Sequence, residues 1–189
     1  MKQLTPPHGG QLKPLLLTGD KLAENLQKAE KLEKIRLNSK ETSDLIMLAM
    51  GAFSPLDGFM TSADYNGCVT DMEMADGTLW PIPITLSVDK AQADNLKEGQ
   101  EVALVDDESG DLMGMMTIEE KFTYDRQKEA ENVFKTNDQE HPGVKRLYTQ
   151  GDVYIGGRVM AFSEGKYPDL FEEFARPAQT REIFQEKGW

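Results

Sequence analysis

Few residues in this sequence pair a reactive side chain with a neighbour able to activate it. The chain holds one cysteine, Cys68, and two histidines, His8 and His141. A cysteine nucleophile needs a base or a positive field to populate its thiolate. Cys68 sits between Ser62 and Val69 with no histidine near it in sequence, so it reads as a small buried hydrophobe. A lone cysteine forms no internal disulfide, and no cysteine cluster is available for zinc. His141 stands in His141-Pro142-Gly143, which is turn chemistry. It is expected to hydrogen-bond its own loop, with a ligand role as the alternative. The acidic pairs Asp106-Asp107 and Glu119-Glu120 are adjacent in sequence. Neighbours along a strand point to opposite faces, so Glu119 and Glu120 should not share a site, and Asp106-Asp107 falls in a turn. The sequence has no Walker loop, no paired-glycine dinucleotide fingerprint, no nucleophile elbow and no HExxH. Residue types and spacing therefore nominate no catalytic, no cofactor-binding and no metal-ligating residue.

The elements that would position such groups are easier to read. Pro6 to Gly10 is a loop. Asp20 is placed to cap a helix whose apolar stripe is Leu22, Leu26, Ala29 and Leu32, with its charged face in solvent. Ile35-Arg36-Leu37 suits a short strand. Asn38 or Ser39 then caps a second helix, with Glu41 and Asp44 near its positive end. From Leu45 to Met50 this helix is apolar all round and should be buried. Gly51 is placed to end it in a left-handed conformation. Pro55 and Gly58 fix the following turn, and Phe53, Leu56 and Phe59 supply apolar anchors.

Ser62 is expected to cap a third helix through Tyr65, Cys68 and Val69, and Asp76-Gly77 marks a hairpin. Leu79 to Val88 reads as an edge strand, because Pro81 and Pro83 cannot donate to a ladder. Glu101–Val105 and Leu112–Phe122 read as strands joined at Asp106–Gly110, with Met113, Met115 and Met116 as core fillers. Asp125 is expected to cap a helix running to Lys135, and residues 136–144 to form a loop. Val153–Phe162 reads as a strand in which Gly156-Gly157 permits a bulge or a close backbone approach. Pro177 opens and Gly188 closes a last helix before Trp189, a pattern that leads into a further buried strand.

Composition bounds the rest. A chain of 189 residues with 39% hydrophobic content supports one good-sized domain, or one domain and part of a second. The net charge of −12 repels phosphate backbones at long range, which makes nucleic acid a poor default partner. The first residues, Met1 to Pro7, lack the apolar core of a signal peptide. The longest apolar run, Leu45 to Phe53, is broken by Gly51 and is too short for a membrane span. An acidic cytoplasmic protein with no membrane partner is the expectation.

Four blocks of residues are similar to one known family. They are Gly51-Ala52-Phe53-Ser54-Pro55-Leu56-Asp57-Gly58-Phe59-Met60; Asp76-Gly77-Thr78-Leu79-Trp80-Pro81-Ile82-Pro83-Ile84-Thr85-Leu86; Glu129 to Asp138 with His141-Pro142-Gly143-Val144; and Arg176-Pro177-Ala178-Gln179-Thr180-Arg181-Glu182-Ile183-Phe184 through Gly188-Trp189. Together and in order they resemble sulfate adenylyltransferase (ATP sulfurylase).

The resemblance implies a mixed α+β fold: a PUA-like β-barrel or pseudo-barrel domain with flanking helices over residues 1–167. Residues 168–189 would then be a linker and the first helix of an α/β nucleotidyltransferase domain. It also implies an enzyme that makes adenosine 5′-phosphosulfate and pyrophosphate from ATP and sulfate, with Mg-ATP as the substrate complex of the full-length enzyme. That enzyme would serve sulfate assimilation or other sulfur metabolism and would form a homo-oligomer. The family's glutamine-x-arginine-asparagine-proline run and its paired histidines do not occur here. Gln179-Thr180-Arg181 is followed by Glu182-Ile183, so no catalytic residue carries over. The chain is expected to be inactive alone, to bind no cofactor itself, and to partner the family's C-terminal catalytic domain. Cutting at Trp189 should also leave an apolar patch that favours association. The alternative is a stand-alone PUA-like module binding RNA or protein, for which Lys145, Arg146 and Arg158 are the available cations near the His-Pro-Gly turn.

Overall fold

Strands and helices interleave along the chain in the computed structural model, which describes residues 4–189. Met1–Gln3, the start of the segment read for leader character, lie outside the described residues. In order, the elements are α1 (Gly19–Ala29), β1 (Glu33–Leu37), α2 (Ser39–Met50), β2 (Gly58–Phe59), α3 (Ser62–Asp71), β3 (Leu86–Val88) and α4 (Lys90–Asn95). They continue with β4 (Glu101–Asp106), β5 (Leu112–Thr123), α5 (Arg126–Glu129), α6 (Pro142–Thr149), β6 (Val153–Ala161), α7 (Tyr167–Leu170) and α8 (Pro177–Lys187). The strands form one sheet in the order β1-β4-β5-β6-β2, with β3 paired to β6 off that path. The mixed α+β class is as expected, but the sheet is not a closed barrel. Its path ends at β1 and at the two-residue β2, which do not pair with each other.

The chain divides into two units that interleave in sequence. Unit 1 is Met1–Gly58, Glu101–Met116 and Val159–Trp189; unit 2 is Phe59–Gln100 and Thr117–Arg158.

In unit 1, β1 and β4 run parallel with Ile35 opposite Leu104, and both residues are fully buried. Burial of each such side chain contributes about 1.5–3 kcal/mol. The stripe on α1 docks as its spacing requires: Ala29 is buried against Ala103, Met115 and Phe162, flanked by Leu22, Leu26 and Leu32. The cap position of α1 is Thr18, not Asp20, because the helix starts at Gly19 and places Asp20 in its first turn. Asn38 caps α2, its side chain accepting from Lys40 and Glu41 N–H while Glu41 accepts from the Asn38 N–H at 3.0 Å. Leu45, Ile46, Leu48 and Ala49 are buried on α2, but Met47 is 38% exposed, so one face of this helix reaches solvent. Gly51 ends α2 at φ 81°. This is the left-handed region where a Cβ is costly, and a Cβ there would also lie 3.1 Å from the Pro14 nitrogen.

In unit 2, β3 pairs antiparallel with β6, Leu86 opposite Ile155. Only Leu86–Val88 of the expected edge strand is regular. Pro81 and Pro83 remove two donors from the preceding segment, which stays irregular. The Asp76-Gly77 turn closes on a single bridge between Glu73 and Leu79. Two helices of this unit were not anticipated. Asp89 caps α4 by accepting from the Gln92 N–H at 2.7 Å, and Lys121 Nζ donates to the Ala93 and Leu96 carbonyls at its end. The other is α6, inside the stretch expected to be a loop. Gly156 lies against Met60, where a Cβ would come within 2.6 Å of the carbonyl oxygen, so close approach is the reason for glycine at that position.

Candidate functional site

Unit 1 carries a run of exposed apolar side chains near the end of the sequence. Tyr167, Leu170, Phe171, Ile183, Phe184 and Trp189 are all 41–67% exposed. The other large exposed apolar side chains among the described residues, Met47, Met72, Leu79 and Ile82, lie elsewhere in sequence. Local chemistry explains the scaffold. Pro177 occupies the first turn of α8, the Gln179 side chain accepts from the Arg176 N–H at 2.9 Å, and Gly188 ends the helix at φ 70°. Trp189 folds back, its N–H donating to the Phe184 carbonyl at 3.0 Å with the two rings 5.8 Å apart. Lys187 Nζ lies 4.9 Å over the Trp189 ring. No residue of α8 is buried. Apolar surface of this kind marks an interaction face.

The same unit holds a cavity of about 520 Å³ whose lining includes Ser39, Thr42, Asp106, Asp111, Met113 and Tyr167. Asp106 accepts from the Thr42 hydroxyl at 2.8 Å and from the Ser109 N–H at 2.9 Å. Burial pushes its carboxyl pKa up, but these donors outweigh burial and hold it below the usual aspartate value. With Glu108 and Asp111 also lining it and Lys166 the one lysine among its described lining residues, this cavity disfavours phosphate or sulfate. Asp107 turns away to pair with Arg36 at 3.2 Å.

Unit 2 contains a dense polar network. Glu129 is 5% exposed and accepts from Tyr65 OH at 2.8 Å and Tyr154 OH at 3.0 Å. Gln150 Nε2 donates to Tyr154 OH at 2.6 Å and Tyr124 OH at 3.1 Å, and Tyr124 OH donates to the Gly151 carbonyl at 2.7 Å. The Tyr124 and Tyr154 rings stack 3.7 Å apart, and Tyr65 meets Tyr154 edge-on. Burial, followed by the Glu129 charge, pushes the Tyr65 and Tyr154 hydroxyls far above the ordinary phenol value. Both therefore act as donors and not as bases.

Around this network α5 passes into a π-helical turn, Ala130–Phe134, which ends with Lys135 at φ 60°. The helix expected as far as Lys135 is therefore α only to Glu129. His141 follows as the cap of α6, its Nδ1 accepting from the Gly143 and Val144 N–H groups at 3.2 and 3.4 Å. Its ring packs 5.3 Å from that of Phe134. The expected self-bonding of the His-Pro-Gly turn is what the structure contains, with a helix started by it.

The remaining residues of interest separate. Cys68 is 1% exposed, and burial, then Glu129 and Asp64, push its thiol up to about 12, so it is a protonated core residue. Met113, Met115 and Met116 are buried core. Glu119 pairs with Arg158 at 2.6 Å. Glu120 instead accepts from Ser62 N–H at 2.8 Å and Ser62 OH at 2.7 Å. Thus Glu120, from β5, and not Ser62, serves the start of α3. Lys145 and Arg146 are exposed on α6, while Arg181 of the Gln179-Thr180-Arg181 run donates to the Thr5 carbonyl at 2.7 Å. Ser54 fixes the Gly51 loop by donating to the Gly51 carbonyl at 2.6 Å and accepting from Lys13 N–H at 2.8 Å. Among the described residues no group of three or more His, Cys, Asp or Glu side chains is placed to hold a metal. Among them, too, no helix is long and apolar enough to cross a membrane.

Comparison with known proteins adds a family. The PUA-like domain family matches residues 5–164. A sulfate adenylyltransferase of Chlorobaculum tepidum is 54% identical over 189 residues, which cover 98% of this chain and 47% of the relative. One from Chlorobium chlorochromatii is 55% identical with the same coverage. The chain spans about half the length of these curated relatives. Among solved structures, a hexameric APS kinase from Thiobacillus denitrificans is similar, with a TM-score of 0.72 at 30% identity, over 98% of this chain and 32% of that one.

Proposed function

The chain belongs to the PUA-like domain family, and from that premise we propose that it is the N-terminal domain of a sulfate adenylyltransferase. That enzyme would join ATP and sulfate into adenosine 5′-phosphosulfate and pyrophosphate, as Mg-ATP chemistry carried by the other half of the protein. The observation that carries the proposal is identity of 54–55% to sulfate adenylyltransferases across 98% of this chain. Identity sustained over a whole domain constrains its packing surfaces as well as its core.

The domain's own role in this proposal is structural. Residues 1–167 supply the PUA-like body, and residues 168–189 lead into the catalytic partner. Three features support that division: the family match ends at residue 164, α8 buries none of its residues, and the large exposed side chains cluster from Tyr167 onward. The domain contributes no catalytic residue, no bound cofactor and no metal ligand. Homo-oligomerisation of the full enzyme and a cytoplasmic location complete the proposal, the former supported by a hexameric structural neighbour. The RNA-binding alternative has little to draw on, since Arg158 is paired with Glu119 and the net charge is −12.

The test is pyrophosphate release from ATP and sulfate. It would use this chain alone and the same chain joined to the C-terminal half of the Chlorobaculum tepidum relative. The expected result is turnover by the joined protein and none by the chain alone. Turnover by the chain alone, or none by the joined protein, would overturn the proposal.

A further inference from the structure

α8 is held to its own unit by arginines and not by a core. An isolated helix of 11 residues is marginal in water, so what fixes it matters. Its start is gripped by Arg176, whose Nε donates to both carboxylate oxygens of Glu164 at 2.8 and 3.0 Å and whose Nη2 also donates to Oε2. Glu164 is 5% exposed. The Arg176 guanidinium also lies 5.6 Å over the Phe174 ring. One turn further on, Arg181 anchors to the Thr5 carbonyl. A planar guanidinium fork on a carboxylate fixes direction as well as distance, which an ammonium cannot do. Removing the cation would strand a buried carboxylate, so the pair resists opening. It closes the loop of residues 165–175, and the place where that loop closes is the place where α8 begins.

Resting on the reading of this chain as the N-terminal domain of a sulfate adenylyltransferase, we propose that Glu164 and Arg176 form a positioning clamp. The clamp aims α8 so that Phe184 and Trp189, whose rings meet, dock on the remaining half of that enzyme. The occupant is named by length and surface. The relatives extend over about twice this chain, which covers 47% of them, and exposed apolar residues concentrate where α8 is presented. Neither clamp residue touches substrate in this arrangement; both act through the helix.

Amide hydrogen exchange tests the clamp on the 189-residue chain and on the joined protein described above. In the chain alone, Arg176→Lys and Glu164→Gln should each speed exchange of the α8 amides about tenfold, with the amides of β4 unchanged as an internal control of folding. The swapped pair, Glu164→Arg with Arg176→Glu, should restore part of the protection. In the joined protein the α8 amides should be slower than in the chain alone, and Arg176→Lys should remove most of that gain. Unchanged α8 exchange in either single variant overturns the clamp, as does a docking gain that survives Arg176→Lys. If the joined protein gives no pyrophosphate release yet shows the α8 gain, the functional reading fails while the clamp stands.

Discussion

The Glu129 network of unit 2 and the α8 segment of unit 1 are both rich in aromatic residues, yet they are fastened in opposite ways. Tyr154 is 1% and Tyr65 4% exposed, and their hydroxyls end on a buried carboxylate. Phe184 is 41% and Trp189 67% exposed, and the helix that carries them depends on polar tethers from Arg176 and Arg181. The first region is complete in itself: its apolar surface is removed from water and each buried hydroxyl has a partner, which is what a stable polar core requires. The second is ordered without being covered. Exposed aromatics on a tethered helix gain little until another surface meets them, so the difference separates a part of the molecule that folds for itself from one arranged for a neighbour.

That contrast can be broken most sharply at its buried end. Tyr154→Ala removes a stacked ring and a donor to Glu129, and should cost about 3–5 kcal/mol in urea unfolding. A loss below about 1 kcal/mol, the level of an ordinary surface change, would mean the network is ornamental. Glu129→Ala leaves the Tyr65 and Tyr154 hydroxyls without their acceptor and should cost about 1–3 kcal/mol, measured the same way. At the edge of this unit, His141→Ala should cost about 0.5–2 kcal/mol by removing the α6 cap, whereas His141→Asn should recover most of it, because asparagine caps well. If both variants fall equally, the imidazole acts through its contact with Phe134 and not through Nδ1.

In unit 1 the expected effects are smaller. Phe184→Ala should change the stability of this chain by no more than about 0.5 kcal/mol, and the same change in the joined enzyme should lower stability clearly more. Equal effects in both settings would erase the contrast between the two regions. The smallest effect is one of pH. The Asp106 carboxyl is held below its unfolded value near 3.9, so its stabilising contribution is present above that pH and fades as pH falls through the lowered native value. Asp106→Asn should flatten the acid limb of a stability-against-pH profile; an unchanged limb would show that its bonds to Thr42 and Ser109 carry no net stabilisation.

The sequence told most where the determinant is local. The cap of α2 at Asn38 or Ser39, the left-handed Gly51, the Pro177 start and Gly188 end of α8, and the apolar runs of β4 and β5 all depend on residues within a few positions of one another. The α6 helix was hidden because its start looks like a turn. Pro142-Gly143 is turn chemistry until His141 supplies the acceptor and Val144 and Leu147 find a core with Ala130. The Glu129 cluster had no local signal at all, since Tyr65 lies 64 residues and Tyr154 25 residues from the carboxylate they share. The start of α3 went astray for a related reason: the group that serves it is Glu120, which lies 58 residues from Ser62.

By itself, then, the sequence determined the main element positions and an inert Cys68, because periodicity and caps are written in short stretches of side chains, and it carried the family likeness, which in turn implied the mixed α+β class. The tertiary structure alone decided which buried carboxylate the tyrosines share, how Glu164 and Arg176 fix α8, and which aromatics remain in solvent. Those outcomes depend on which distant segments meet, and a one-dimensional pattern of residues does not carry the distances between them.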